Sequence, residues 1–154
     1  GLDNFLIGGK GNDFLNGGEG SDQLVGGVGN DIFVFGRNYG QDLITDSDAT
    51  TGNNDQLQFE FGASADQLWF QHVGSNLEVS IIGTSDKATI SSWYSGSVNH
   101  VEQFKTADGK VLLDTQVENL VSATAAFAPP TAGQTTLPSN YQTSLNSVIA
   151  ANWQ

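Results

Sequence analysis

In the first part of the chain a large apolar residue recurs every nine positions, at Leu15, Leu24 and Phe33. Each is the middle of a short run, 14–16, 23–25 and 32–34, long enough for a small strand with that residue on one face. Glycines and one aspartate fill the space between runs. Residues 8–34 read GGKGNDFLN, GGEGSDQLV and GGVGNDIFV, three units without a gap. A period this strict predicts a repeat architecture. From Leu57 onward the pattern becomes an alternation. Leu57/Phe59/Phe61, Leu77/Val79/Ile81 and Ala88/Ile90 predict strands, with turns at 74–76, 83–86 and 107–109. Residues 101–106 and 110–113 predict a hairpin around Asp108-Gly109. Thr115 and Glu118 have the spacing of a capping box. Val117, Leu120, Val121 and Thr124 follow at helical spacing and predict a helix over 116–126. Residues 128–138 read as a linker rich in Pro and small residues. In the last stretch Tyr141, Leu145, Val148 and Ile149 share one helical face.

Glycine at positions 1, 2 and 4 of each unit lets the backbone take conformations closed to other residues. A turn built this way aims carbonyl oxygens inward, and the aspartate at position 6 adds a carboxylate. Such hard oxygen donors suit calcium. There is no Cys, and His72 and His100 lie far from the repeats, so a softer metal does not fit. Two carboxylates at ~5 Å repel by on the order of 1 kcal/mol in water, and by more at lower dielectric. The repeats therefore read as an element whose folding is driven by calcium.

GGxGxD followed by an apolar residue resembles the RTX (repeats-in-toxin) nonapeptide of bacterial proteins exported by type I secretion. The resemblance implies an all-β fold: a parallel β-roll of calcium-binding repeats whose successive turns alternate between two edges. An ion then sits between turns 18 residues apart. Carried over, the best site takes Gly8, Lys10 and Asp13 with Gly27, Gly29 and Asp31. A second takes Gly17, Glu19 and Asp22 with Asn38, Gly40 and Asp42, from the loosened unit FGRNYGQDLI. A third sets Gly26, Val28 and Asp31 against Asn53 and Asp55 of a decayed unit. About two to four ions follow from this count. Asp46 and Asp48 sit in a connecting loop, where solvated acids are more common than ligands. Residues 1–7 read as a degenerate unit with Asn4 at the Asp position, and 65–68 as an echo without glycines and without metal. GASADQLWF, ISSWYS and HVEQF resemble the segment after the last repeats in RTX toxins of the hemolysin and adenylate cyclase types. That implies a small antiparallel cap, with folding that starts there.

The expected organisation is a roll over 1–56, a capping region over 57–127 made of strands plus the helix at 116–126, and a linker plus export signal over 128–154, with one or two short C-terminal helices in all. No charged side chain follows Glu118. An uncharged, weakly amphipathic C-terminus is what the resemblance implies for a signal read by a type I exporter; an ordinary docked helix is the alternative. The abrupt start at Gly1 reads as a piece of a longer protein.

The formal charge of −12, with five Lys and Arg, argues against nucleic acid and anionic membranes as partners. No run is apolar and long enough to predict membrane insertion. No GxSxG, HExxH or P-loop is present, so no catalytic residues are assigned and a non-enzymatic module is expected. His72 and His100 read as structural, and Trp69, Phe70, Trp93 and Tyr94 as core. The reading is a monomeric, secreted or cell-surface calcium-binding module. An adhesive or ligand-binding module, or the tail of a secreted enzyme, are the alternatives.

Overall fold

The computed structural model describes residues 1–154. The nine-residue period becomes strands: β1 (Phe5–Lys10), β2 (Phe14–Asn16), β3 (Gln23–Val28), β4 (Ile32–Phe35), β5 (Gln41–Thr45) and β6 (Gln56–Phe59). Successive strands alternate between two parallel sheets, β1-β3-β5 and β2-β4-β6. The register follows the repeat. Phe5 lies beside Gln23 and Phe14 beside Ile32. The two-residue insertion before Asp42 then sets Gln23 beside Leu43, and a longer one sets Ile32 beside Gln56. Leu15, Leu24, Phe33, Ile44 and Leu57, one per coil, are buried between the sheets. Alternation along each strand turns these positions to one face, and β4 and β6 each bury a second large side chain, Phe35 and Phe59.

The same two sheets continue into the cap. After a 3-10 turn (Ala65–Gln67), β7 (Leu68–Val73), β8 (Asn76–Ile81) and β9 (Lys87–Ile90) form an antiparallel meander. β9 returns parallel beside β5, with Gln41 opposite Lys87. β10 (Gln103–Lys105) adds parallel to β6, and β11 (Val111–Leu113) closes that sheet as the predicted hairpin. Mostly parallel sheets thus end in a small antiparallel region.

The cap core holds Phe70, Leu77, Val79, Ile81, Ile90, Phe104 and Leu112, covered by α1 (Val117–Thr124). Trp69 and Trp93 are buried as well, at 1% and 3% exposure, so they present no aromatic groove to solvent. Trp93 stacks on His100, whose Nδ1 meets Asp114 Oδ2 at 3.1 Å. The second helix, α2 (Ser139–Asn152), packs on α1. Its end is tied down. Trp153 joins the main core, and Gln154 exchanges two backbone hydrogen bonds with Val111, at 2.8 and 3.0 Å. Residues 128–138 lie along the cap, where Gly133 N donates to the Gly83 carbonyl and Leu137 is buried with Trp69, Ile82 and Leu145.

Two local expectations are corrected. Thr115 does not cap α1. A 3-10 turn (Asp114–Gln116) precedes the helix, Gln116 Oε1 accepts the Leu113 amide at 3.0 Å, and Glu118 accepts from the Tyr94 hydroxyl at 3.1 Å. Phe61 does not extend β6; it is 94% exposed in the turn that follows.

Candidate metal centre

Asp13, Asp22, Asp31 and Asp55 each stand just before a strand, and Asp42 stands at the second position of β5. Because the strands stack in register, the carboxylates stack too. On one edge Asp31 Oδ1 accepts the Asp13 amide (2.8 Å), Asp55 Oδ1 the Asp31 amide (2.6 Å) and Glu102 Oε2 the Asp55 amide (2.7 Å). On the other, Asp22 Oδ1 accepts the Asn4 amide (2.7 Å) and Asp42 Oδ1 the Asp22 amide (3.0 Å). One carboxylate oxygen per coil therefore holds the next coil in place.

The other oxygen has no such task. Oδ2 of Asp13, Asp22, Asp31 and Asp42 is buried and without a hydrogen-bond partner, as are both oxygens of Asp46. A buried, unpaired anionic oxygen is costly unless something compensates it. The titration behaviour records that cost. Burial, then the charge of Asp22 and Asp86, pushes the Asp42 carboxyl up to about 7. Burial, then the charges of Asp55, Asp31 and Glu102, pushes Asp46 up to about 8. Burial raises Glu102 to about 7 and also raises Asp31.

The glycines leave room beside these oxygens. A Cβ on Gly8 would meet Asp13 Oδ2 at 2.6 Å and the Gly26 carbonyl oxygen at 2.7 Å. A Cβ on Gly26 would meet Asp31 Oδ2 at 2.6 Å and Asp46 Oδ1 at 2.7 Å. Gly27 has a second constraint, since its φ of 115° is left-handed and its α-carbon faces the Gly9 carbonyl. Carboxylate and carbonyl oxygens converging on a space that excludes a methyl group fit a hard divalent cation. His72 and His100 are occupied in the cap, His72 stacked on Tyr94 at 3.5 Å.

Of the residues expected at the metal, the structure brings Asp13 beside Asp31, Asp22 beside Asp42, and Asp31 beside Asp55. Gly27 and Val28 stack on Gly9 and Lys10. Gly17 lies against Asp22, and Gly29 against the Gly11 carbonyl. The Val28 carbonyl already accepts the Gly11 amide, and the Gly40 carbonyl the Lys87 amide, both at 2.8 Å. Asn38 and Gly40 donate their amides to Asp86, at 3.0 Å each, so that edge closes on Asp86. Asn53 turns its side-chain amide to Asp55 Oδ2 at 3.1 Å, presenting a donor rather than an oxygen. The Lys10 and Glu19 side chains are exposed, which leaves only their backbone oxygens for the turns.

Asp46 overturns the expectation of a solvated loop acid. It is 1% exposed and forms a group with Asp31 and Asp55 whose oxygens lie within 4.8 Å of one another. The sequence holds a signal for it. The offset that aligns Asp22 with Asp42 also sets Thr45 opposite Val25, and so Asp46 opposite Gly26. Asp48 is different. Its oxygens accept the Thr50 amide (2.8 Å) and the Gly29 amide (3.1 Å), and the Thr50 bonds hold its carboxyl below the ordinary carboxylate range.

Comparison with known proteins agrees with this geometry. Residues 1–33 match the family described as RTX calcium-binding nonapeptide repeat (4 copies). Residues 76–116 match the haemolysin-type calcium binding protein related domain. The chain is 36% identical over 92 residues to the iron-regulated protein FrpA of Neisseria meningitidis serogroup C; the match covers 58% of this chain and 8% of that protein. The two stacked aspartate columns and the capped parallel roll thus agree with these matches: RTX-type calcium-binding nonapeptide repeats over residues 1–33, a haemolysin-type related segment over 76–116, and similarity to FrpA over part of the chain.

Proposed function

We propose that this domain is a folding module of an exported protein, loose where calcium is scarce and ordered where calcium is abundant. The observation that carries the reading is the set of buried carboxylate oxygens without partners, Oδ2 of Asp13, Asp22, Asp31 and Asp42 and both oxygens of Asp46. A fold that buries them uncompensated works against itself. When bound, calcium supplies the positive charge and the oxygen coordination that these atoms lack. The turns at Gly8, Gly17 and Gly26 leave space for it beside these carboxylates, and about two to four ions at roughly 10⁻⁴–10⁻³ M affinity match an extracellular module. The aspartates repel in the metal-free chain and so keep it extended for export.

The C-terminal segment 128–154 serves as the exporter's recognition element before folding and docks on the cap afterwards. The absence of charge beyond Glu118 supports this reading. No helix is long and apolar enough to cross a membrane, and the proposed location is outside the cell or on its surface.

A calcium titration followed by far-UV circular dichroism, with magnesium as control, tests the folding role. A cooperative gain of β signal with calcium alone is the expected result, and a complete β spectrum in chelator overturns it. Deleting 128–154 from the exporting protein is expected to stop its appearance in the medium; undiminished export removes the exporter role.

A further inference from the structure

The two pockets on the Asp13/Asp31/Asp55 edge are not equivalent. Over Gly8 the lining is one free carboxylate oxygen, Asp13 Oδ2, and one backbone carbonyl, that of Gly26. Over Gly26, one coil on, the same two places are held by Asp31 Oδ2 and by the Asp46 carboxylate. An acid thus stands where the repeat supplies a neutral carbonyl. Neither oxygen of Asp46 has another partner, although the residue is almost fully buried. Asp55 completes the group, and its amide is fixed from the cap by Glu102 Oε2 at 2.7 Å. Asp48, two residues further on, stands outside this group; its oxygens accept the Thr50 and Gly29 amides, whereas Asp55 stays within it although its own oxygens accept the Asp31 amide and the Asn53 side-chain amide.

We propose that Asp31, Asp46 and Asp55 form a calcium site of a different class from the repeat sites. It lies at the junction of roll and cap, is built from three carboxylates, and is the first site to fill. The inference rests on the calcium reading given above. Ligand charge is a main determinant of affinity among all-oxygen sites. A third anionic side chain raises affinity above that of a pocket with a neutral carbonyl in that place, as over Gly8. It also makes the metal-free pocket more repulsive than the others. Filling this site joins the loop after β5 to the turn before β4, fixing the coil on which the earlier coils stack.

The test is a comparison of Asp46→Asn with Asp13→Asn and Asp48→Asn in the whole 154-residue chain. Calcium binding is followed by calorimetry. Stability in chelator is read as the trimethylamine N-oxide needed to fold each protein, an osmolyte that favours the compact state. The wild type is expected to bind its first ion at least about tenfold more tightly than the rest. Asp46→Asn is expected to lose that first step and yet to fold in chelator with less osmolyte, because a buried acid whose charged form the pocket disfavours is gone. Asp13→Asn is expected to keep the tight step and weaken a later one. Asp48→Asn is expected to need more osmolyte, since two backbone amides lose their anionic acceptor.

An Asp46→Asn isotherm equal to wild type overturns the proposal. So does an Asp46→Asn protein that needs more osmolyte in chelator, the behaviour of a merely structural acid. If the wild type itself binds no calcium, the calcium reading falls first, and the two failures remain distinguishable.

Discussion

Between Gly8 and Asp55 the interior holds a column of leucine, isoleucine and phenylalanine flanked by acids; between Leu68 and Trp153 it holds aromatic and aliphatic side chains packed against a helix. Asp22, Asp31, Asp42, Asp46, Asp48 and Asp55 are all buried in the roll. In the cap the one buried acid is Asp86, and both of its oxygens accept backbone amides. Every unpartnered buried carboxylate oxygen of the molecule belongs to the roll. The proposed calcium dependence therefore falls on the roll and not on the cap. The cap is stabilised by apolar burial, which needs no ligand. The roll buries a surplus of negative charge, and on the proposed reading its folding free energy is tied to a cation.

The comparison is broken most directly from the cap side. Phe104 is fully buried and packs edge-on against Phe70 at 5.4 Å. Phe104→Ala is expected to cost about 3–5 kcal/mol in calcium and to remove residual structure in chelator; urea unfolding in both conditions checks it. Acid sharpens the comparison next. The Asp46, Asp42 and Glu102 carboxyls, raised to about 8, 7 and 7, bind protons in the metal-free fold that the unfolded chain does not hold until near its ordinary carboxylate values. The folded state therefore carries more protons between roughly pH 8 and pH 4, and stability in chelator rises as pH falls through that window. In calcium the same protons compete with the metal, so affinity falls. Circular dichroism at pH 5 and pH 8, with and without chelator, is expected to show opposite trends.

A smaller effect is confined to the roll. Gly8→Ala places a methyl group against Asp13 Oδ2 and the Gly26 carbonyl. It is expected to cost about 1–3 kcal/mol in calcium and to leave the cap's thermal transition in place. Smallest is Glu118→Gln, which weakens the acceptor for the Tyr94 hydroxyl. A loss of about 0.5–1.5 kcal/mol without change in the calcium midpoint is the expected outcome of paired thermal and calcium titrations.

Much of the roll was legible because one signal repeats. The nine-residue period carries the register, so Asp13 beside Asp31 and Leu15 beside Phe33 follow from counting. Legibility falls where insertions enter. Asp46 replaces a position-1 glycine, so the residue type that marks the turn is missing where the pocket continues. Glu102 reaches Asp55 from 47 residues away, a contact with no periodic trace. Strands β8 and β9 were legible from alternation and β10 with β11 from the hairpin, but β7, buried at three successive positions, was not, nor was the return of β9 to β5 and β10 to β6. Nothing local distinguishes a strand that extends the roll from one that starts a separate sheet. The Thr115 capping box failed for a different reason. Gln116, one residue on, reached back to the Leu113 amide, and a 3-10 turn replaced the expected first helical turn.

On the proposed reading, the aspartate ladder of the roll holds only when its free oxygens are compensated. Amide hydrogen exchange resolved to single residues tests it most directly. In chelator the amides of Asp13, Asp22 and Asp31, which donate to the next coil's carboxylates, are predicted to exchange at near-unstructured rates. With millimolar calcium they slow by orders of magnitude, and those of Phe70 and Val79 change far less. Ladder amides that are already protected in chelator, to the same depth as the cap, would contradict the account.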